Sequence, residues 1–168
     1  MESETLASID DPDLGKLDLV RERFRAKSAD DPDWRDLSIL EWRGKHRSEN
    51  GLSFDISIYV DKDTAPVEPD VPDIARATFR RLIEDEAGFR RIIAARQIDL
   101  AVDWASEAGD VPLPTLESFT RALRLETVQF HPGRITFWYY EDQDIFAGHA
   151  LEVRLHPDGR ISEIGLAG

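Results

Sequence analysis

The feature that most constrains the fold is the alternation of apolar and polar residues in "GLSFDISIYVD", residues 51–61. Every second residue from Leu52 to Val60 is apolar, whereas the residues between them are serine, aspartate or tyrosine. Successive side chains of a strand point to opposite faces, so this period of two predicts a half-buried strand. The apolar set is expected on one face of a sheet, against a covering layer.

The period of two returns after Leu125. Turn residues separate four short segments, which are "ETVQFHP", "RITFWYY", "HALEVRLH" and "RISEIGLAG". The separators are Pro132-Gly133, an acidic bend and Pro157-Asp158-Gly159. Alternating segments joined by such turns predict an antiparallel meander.

Two of these segments indicate which side chains face the core. Phe137 and Tyr139 are predicted to share one face of their strand, and Trp138 and Tyr140 the other. By the same period, the apolar residues at positions 151, 153 and 155 are predicted to pack against helices. The polar residues between them are expected to face outward.

Between the two sets of strands, apolar residues recur at steps of three and four from Ile74 to Trp104, which predicts amphipathic helices. Asp73 is a candidate N-cap, Gly88 is predicted to divide two helices, and Thr115 is predicted to cap a third. The predicted fold class is therefore α+β. It has an antiparallel sheet with about three helices packed on one face, in the order strands, helices, strand meander.

The domain organisation follows from length and local composition. The first residues are acidic and interrupted by Pro12, so residues 1–13 are predicted to form a flexible arm. A chain of 168 residues suffices for one core, so residues 14–168 are predicted to form a single α+β domain. The segments "SADDPDWRD" and "DTAPVEPDVPD" have the composition of a turn and a connector.

Composition and charge limit the classes of partner. The chain has 34 acidic residues against 21 Lys plus Arg, a formal net charge of -13. Nucleic acids and anionic membranes are bound by clustered cations, so neither is an expected partner, whereas a basic protein is. The opening "MESETLASIDDPDLG" lacks the cationic and apolar regions of a signal peptide. A cytoplasmic location is therefore expected.

The familiar catalytic motifs are absent. The sequence contains no G-x-S-x-G, H-E-x-x-H, P-loop or G-x-G-x-x-G, and no cysteine. We therefore predict no catalytic residue and no cofactor, and the sequence favours a non-enzymatic protein. An enzyme that uses a different set of residues is the alternative.

The acidic bend contains residue types that can bind a metal ion. Asp142 and Asp144 begin a D-x-D pattern, but Val153 stands where a calcium loop needs a glutamate. His149 and His156 are seven residues apart, which places them on opposite faces of one regular strand. No metal is therefore predicted, and a small-ligand or metal site that combines the bend with His149 is kept as an alternative.

A surface of aromatic and acidic side chains is the main candidate binding site. The segment from Gln97 to Thr120 contains no Lys or Arg, although acids recur there, and the acidic bend follows "FWYY". The candidate binding residues are Trp138, Tyr140, Glu141, Asp142, Asp144, Asp99, Asp103, Glu107 and Asp110. Charge that serves solubility alone is the alternative interpretation.

The segments "LESFTRALRLETVQF" and "DIFAGHALEVRLHPDGRISEIGLAG" resemble the bacterial domain of unknown function 2262. More loosely, the resemblance extends over residues 14–168. Its matching residues are Leu123, Phe146, Gly148, His149, Asp158, Gly159 and Gly168. "VDWASEAGD" stands where an Asn-x-Trp is common in the family. The family has no established reaction, so the resemblance implies a fold rather than an activity.

The matching residues of the bend are expected to be structural. Phe146 is predicted to anchor the bend in the core, and Gly148 to supply a backbone conformation or a close approach. His149 is predicted to be a hydrogen-bonded, structural imidazole. By analogy with other small acidic bacterial domains, the expected function is binding of a basic protein such as a toxin, as in an immunity or antitoxin-like protein.

Overall fold

The computed structural model describes residues 2–27, 34–47, 51–60 and 73–167. Its elements in chain order are β1 (Glu2–Asp11), β2 (Gly15–Lys27), β3 (Trp34–Arg47), β4 (Ser53–Tyr59), α1 (Asp73–Ala108), α2 (Leu116–Ala122), β5 (Leu123–His131), β6 (Arg134–Glu141), β7 (Ala150–Leu155) and β8 (Ile161–Ala167). Residues 28–33 of the predicted turn segment, residues 63–72 of the predicted connector, and Gly168 lie outside the described residues.

The eight strands form one sheet in chain order, from β1 to β8. Neighbouring strands are antiparallel except β4 and β5, which run parallel with residues 55–58 opposite residues 127–130. A parallel pair needs a long crossover connection. Both α1 and α2 lie in that connection, and neither is long and apolar enough to cross a membrane.

The predicted fold class is wrong on three points. The sheet is mixed rather than antiparallel, because β4 and β5 are parallel. The described residues contain two helices rather than three. The predicted order of strands, helices and strand meander does not match either, because the last four strands continue the sheet of the first four through the parallel pair of β4 and β5.

The long helix is interrupted three residues before the predicted division at Gly88. α1 runs through 36 residues with a kink at Asp85, where φ is −141° and ψ is 39°. The Asp85 carboxylate accepts the backbone N–H of Gly88 at 3.2 Å, as an N-cap does at a helix start. A Cβ on Gly88 would lie 2.4 Å from that carboxylate, so the glycine makes room for the cap.

The predicted arm over residues 1–13 is replaced by the edge strand β1, which pairs antiparallel with β2. Asp11 is buried at the turn that follows. One carboxylate oxygen of Asp11 accepts the backbone N–H groups of Asp13 and Leu14, each at 3.0 Å. The other oxygen accepts Nε of Arg76 on α1, also at 3.0 Å. Asp11, one of the acids that suggest a loose arm, therefore stabilises the turn and connects it to α1.

The core lies between the helices and one face of the sheet. Phe79 of α1 contacts Phe54 of β4, and Phe89 meets Phe137 of β6 edge to face at 5.8 Å. The predicted alternation is confirmed in the central strands and in β7. The residues it buries include Phe54, Ile56, Ile58, Phe137, Tyr139, Leu151, Val153 and Leu155.

No helix of the described residues lies on the opposite face, which we call the helix-free face. Its polar side chains bind one another. Arg43 donates to Glu22 at 2.7 Å and to Glu41 at 2.6 Å, and Ser57 donates to the same Glu41. Glu41 is 3% exposed. The hydrogen bonds to Glu22 and Glu41 raise the pKa of Arg43, and the guanidinium lowers the pKa of Glu22.

Replacing Asp11 by alanine is expected to lower the free energy of unfolding by about 3 kcal/mol, because a buried side chain that accepts three hydrogen bonds is lost. Asp11→Asn should cost less, since an amide oxygen can still accept the backbone N–H groups. Urea unfolding followed by tryptophan fluorescence measures both. Equal stabilities of Asp11→Ala and the unmodified protein would contradict this role.

Candidate functional site

The structure does not bring the nine predicted binding residues onto one surface. Trp138 and Tyr140 lie on the helix-free face of β6, because Phe137 and Tyr139 occupy the buried face. The predicted acidic residues of 99–110 lie on and just after α1, on the other side of the sheet. The predicted aromatic and acidic features are therefore separate.

Of the two predicted aromatic residues on the helix-free face, one is bonded to a neighbouring side chain and one is exposed. Trp138 is half-buried, and its Nε1 donates to the side-chain oxygen of Gln129 at 2.8 Å. Tyr140 is exposed. Thr136, two residues before Trp138, is fully buried, and its hydroxyl has no hydrogen-bond partner among the described residues.

A second aromatic pair on this face was missed by sequence reasoning. The rings of Tyr59 and His131 stack with centroids 4.0 Å apart. Burial and then the charge of Glu41 raise the pKa of Tyr59, whereas burial and then Arg134 lower the pKa of His131. Tyr59 and His131 end neighbouring strands that are far apart in the chain, so only the register of the parallel pair reveals their contact.

The four acids at the C-terminal end of α1 form what we call the acidic ridge: Asp99, Asp103, Glu107 and Asp110. The first three recur every four residues, which places them in one row along a helix. All four are exposed, and none forms an ion pair within the part of the chain that the structure describes. The last turn of α1 contains no basic residue. This ridge is the most uncompensated charge among the predicted site residues.

The acidic bend contributes less free charge than its sequence suggests. The position of Glu141 in a polar bend predicts an exposed side chain, but Glu141 is half-buried. Its carboxylate accepts two backbone N–H groups of the bend at 2.7 and 3.1 Å. Asp142 is exposed but bonds Arg124 at 2.8 Å. Asp144 is exposed, with a φ of 55°. Two of the three acids thus hold the bend in place.

Phe146 is confirmed as the anchor of the bend. Its ring is 0% exposed and packs edge to face against Trp104 at 5.8 Å and Phe119 at 5.9 Å. Gly148 has a φ of +82° and open space where a Cβ would lie, so the backbone conformation explains this glycine and a close approach does not.

His149 packs against the edge of Trp104 at 5.7 Å. Its backbone N–H donates to the carbonyl of Phe146 at 2.9 Å, but its imidazole makes no hydrogen bond among the described residues. The predicted hydrogen bond of the imidazole is not formed with any described residue, and the imidazole packs against Trp104 instead. No group of three His, Cys, Asp or Glu side chains in residues 2–27, 34–47, 51–60 and 73–167 could hold a metal ion.

The Asp-Gly turn between β7 and β8 is hydrogen-bonded to α1. Arg81 of α1 donates to the carbonyl of Asp158 at 2.7 Å. A Cβ on Gly159 would lie 2.4 Å from the Arg81 guanidinium, and its φ is +81°. The Asp158 carboxylate accepts the backbone N–H of Arg160 and then its Nε, which lowers the pKa of Asp158. Both residues are structural.

Sequence reasoning also missed a buried carboxyl group beside the kink of α1. Glu86 is 10% exposed and lines a cleft of about 640 Å³. Arg90 lies 3.3 Å from its carboxylate, and the hydroxyl of Tyr139 donates to it at 3.4 Å. Burial raises the pKa of Glu86 although Arg90 opposes the shift, and burial followed by Glu86 raises the pKa of Tyr139. In the sequence, Glu86 and Arg90 look like an ordinary surface pair.

These features define a two-layer domain, in which one mixed eight-stranded sheet is covered on one face by a kinked helix and a short helix. The family described as an uncharacterized protein conserved in bacteria (DUF2262) matches residues 36–166, from β3 to β8. The chain belongs to the DUF2262 family, which confirms the predicted resemblance. No curated protein and no solved structure matches the chain.

Replacing Phe146 by alanine is expected to lower the free energy of unfolding by about 3 to 5 kcal/mol, because a fully buried ring leaves a cavity between Trp104 and Phe119. Tyr140→Ala, at an exposed aromatic on the helix-free face, is the control and should cost far less. Chemical denaturation of both variants gives the comparison. Similar costs for the two would show that the bend is not anchored by Phe146.

The raised pKa of Glu86 predicts a specific pH dependence. The folded state favours the protonated carboxyl, so the contribution of Glu86 to stability falls as pH rises from 4.5 through the raised pKa. Glu86→Gln removes this fall. Unfolding free energies measured at pH 4 and pH 7 should therefore favour the variant more at pH 7.

The matched control for this measurement is Glu84→Gln, at an exposed neighbour on the same helix. Its stability relative to the unmodified protein should not follow the same pH dependence. A pH-independent difference between Glu86→Gln and the unmodified protein would contradict the raised pKa.

Proposed function

We propose that the protein is a non-enzymatic binding domain whose acidic ridge receives a basic protein. The observation that carries the proposal is the row of exposed carboxylates at 99, 103 and 107, which lacks an ion pair within the described residues. Many acids elsewhere have a cationic partner, as Glu152 and Glu163 have in Arg154.

In the isolated chain the acidic ridge is electrostatically unfavourable. Like charges four residues apart on a helix each cost about 0.2–0.5 kcal/mol. Glu107 also lies in the last turn of α1, where the helix dipole disfavours negative charge and no basic residue is present. A cationic partner would reduce both the repulsion between the carboxylates and the unfavourable interaction of Glu107 with the helix dipole. The charge of the free domain therefore favours association.

The segment after the ridge supplies apolar contact area. Leu113 is 62% exposed and Leu116 is exposed as well, within six residues of Asp110. Specific interfaces combine a desolvated apolar centre with complementary charge. The ridge and these leucines together have the composition of such an interface.

The net charge of -13 would speed encounter with a basic protein. A basic toxin neutralised by an immunity or antitoxin-like protein has the required chemistry. The alternative site at the bend and His149 has less support, because Glu141 and Asp142 are already bonded within the bend.

Neutralising the ridge tests the proposal. The triple variant Asp99→Asn, Asp103→Asn, Glu107→Gln should gain about 1 kcal/mol of stability, because it removes two like-charge pairs and the unfavourable end charge. Its affinity for a basic protein captured from the native cytosol should fall about tenfold or more. Denaturation and calorimetric titration measure the two effects.

A matched control removes the same charge elsewhere. Glu2→Gln, Asp10→Asn and Glu126→Gln change three exposed acids that have no ion pair among the described residues. This control should keep the affinity of the unmodified protein. Equal loss of binding in both triple variants would show that net charge, and not the ridge, attracts the partner.

A further inference from the structure

The two edge strands of the sheet, β1 and β8, differ in the features that discourage pairing with a further strand. Both outer strands contain an irregularity, between Thr5 and Ala7 in β1 and at Ser162 in β8, so the edges differ in charge alone. The β1 edge carries acids at 2, 4, 10 and 11, and charges on an edge strand discourage further strand pairing. The β8 edge has a single charged residue, Glu163, and that carboxylate is bonded to Arg154 at 2.7 Å.

The β8 strand pairs with β7 alone, so its outer backbone groups face no strand among the described residues. Its apolar side chains Ile161, Ile164 and Leu166 are half-buried against the core. An added strand would therefore find free backbone groups and apolar side chains that are incompletely covered.

A groove of about 540 Å³ lies beside the start of this edge, between α1 and β8. Its apolar lining includes Phe89, Ile161 and Ile92, which is 46% exposed. Because Ile161 pairs opposite the buried Leu155, the groove is on the helix-covered side of the sheet. A strand added to β8 would point alternate side chains toward this groove.

The charge of the groove indicates which side chains fit. Three arginines line it, at 81, 96 and 160, together with Glu84 and Asp85. Asp158 already engages Arg81 and Arg160, and the Asp85 carboxylate caps Gly88. Arg96 has no ion pair within the described residues. An acidic side chain next to an apolar one would complement the groove.

We propose that β8 accepts an extended segment of another protein as a ninth strand. The segment places an apolar side chain in the groove and a carboxylate, two residues away, against Arg96. A second copy of this chain fits poorly, because Glu163 of β8 faces the helix-free side with Arg154 and would bring no carboxylate to Arg96. Two chains of net charge -13 also repel each other.

Synthetic peptides test the proposal on the full chain. The probe is acetyl-TVTDTVT-amide, whose valines and aspartate share one face of a strand. Titration followed by ¹⁵N NMR should shift the amides of β8 and α1 around the groove, and hydrogen exchange of β8 should slow. The N-methylated peptide, which cannot donate the strand hydrogen bonds, should bind about tenfold more weakly or worse.

Charge reversal tests the role of Arg96. The unmodified protein should prefer the aspartate peptide to acetyl-TVTKTVT-amide by about tenfold, and Arg96→Glu should abolish or reverse that preference. Arg91→Glu, at an exposed arginine that does not line the groove, should leave it unchanged. Circular dichroism confirms that both variants are folded.

Three results would overturn the proposal. One is equal binding of the N-methylated peptide, and another is shifts confined to residues away from β8. The third is protection of the β8 amides that depends on protein concentration without peptide, because this would make a second copy the occupant.

Discussion

One-sided burial of the sheet is the constraint on which the rest of the structure depends. Each strand in the middle of the sheet gives alternate side chains to the core, so a single helical layer must reach across many strands. α1 does so by contacting β4 through Phe79, β6 through Phe89 and the bend after β6 through Trp104. The kink at Asp85 lies between Phe79 and Phe89, the residues that contact β4 and β6.

The same constraint shapes the helix-free face. With no second layer among the described residues, the charged groups buried on this face are paired with side chains of neighbouring strands. Arg43 therefore stands between Glu22 and Glu41, and Ser57 supplies a further hydrogen bond. A buried carboxylate such as Glu41 is tolerated because it is both paired and hydrogen-bonded. The candidate partner surfaces instead lie on α1 and at the β8 edge.

Local patterns in the sequence predict those structural features that depend on residues close together in the chain. The alternation of β4 and β7, the cap at Thr115 and the burial of Phe146 follow from period and turn chemistry, and the structure confirms each. Interactions between distant residues were not predictable in this way. The local sequence places Asp11 in a loose arm, because its partner Arg76 is 65 residues away.

The candidate site shows the same division. The ridge acids are identified as candidates from the run without Lys or Arg, and all four are exposed. Their separation from Trp138 depends on which face of β6 the helices cover, and the register with distant strands decides this. Glu86 was missed because Tyr139, which buries it, is 53 residues away. Local spacing identified candidate groups, and tertiary contacts determined which of them lie together.

The parallel pairing of β4 with β5 has a consequence for how the chain reaches this structure. Each half of the sheet consists of strands that pair with their neighbours in the chain, so both halves can form through short loop closures. Among the described strands, only residues 55–58 and 127–130 bring distant segments into register. Until β5 is synthesised, the backbone groups of β4 form an open edge in an apolar strand, and this is the stage at which a nascent chain is most exposed to aggregation.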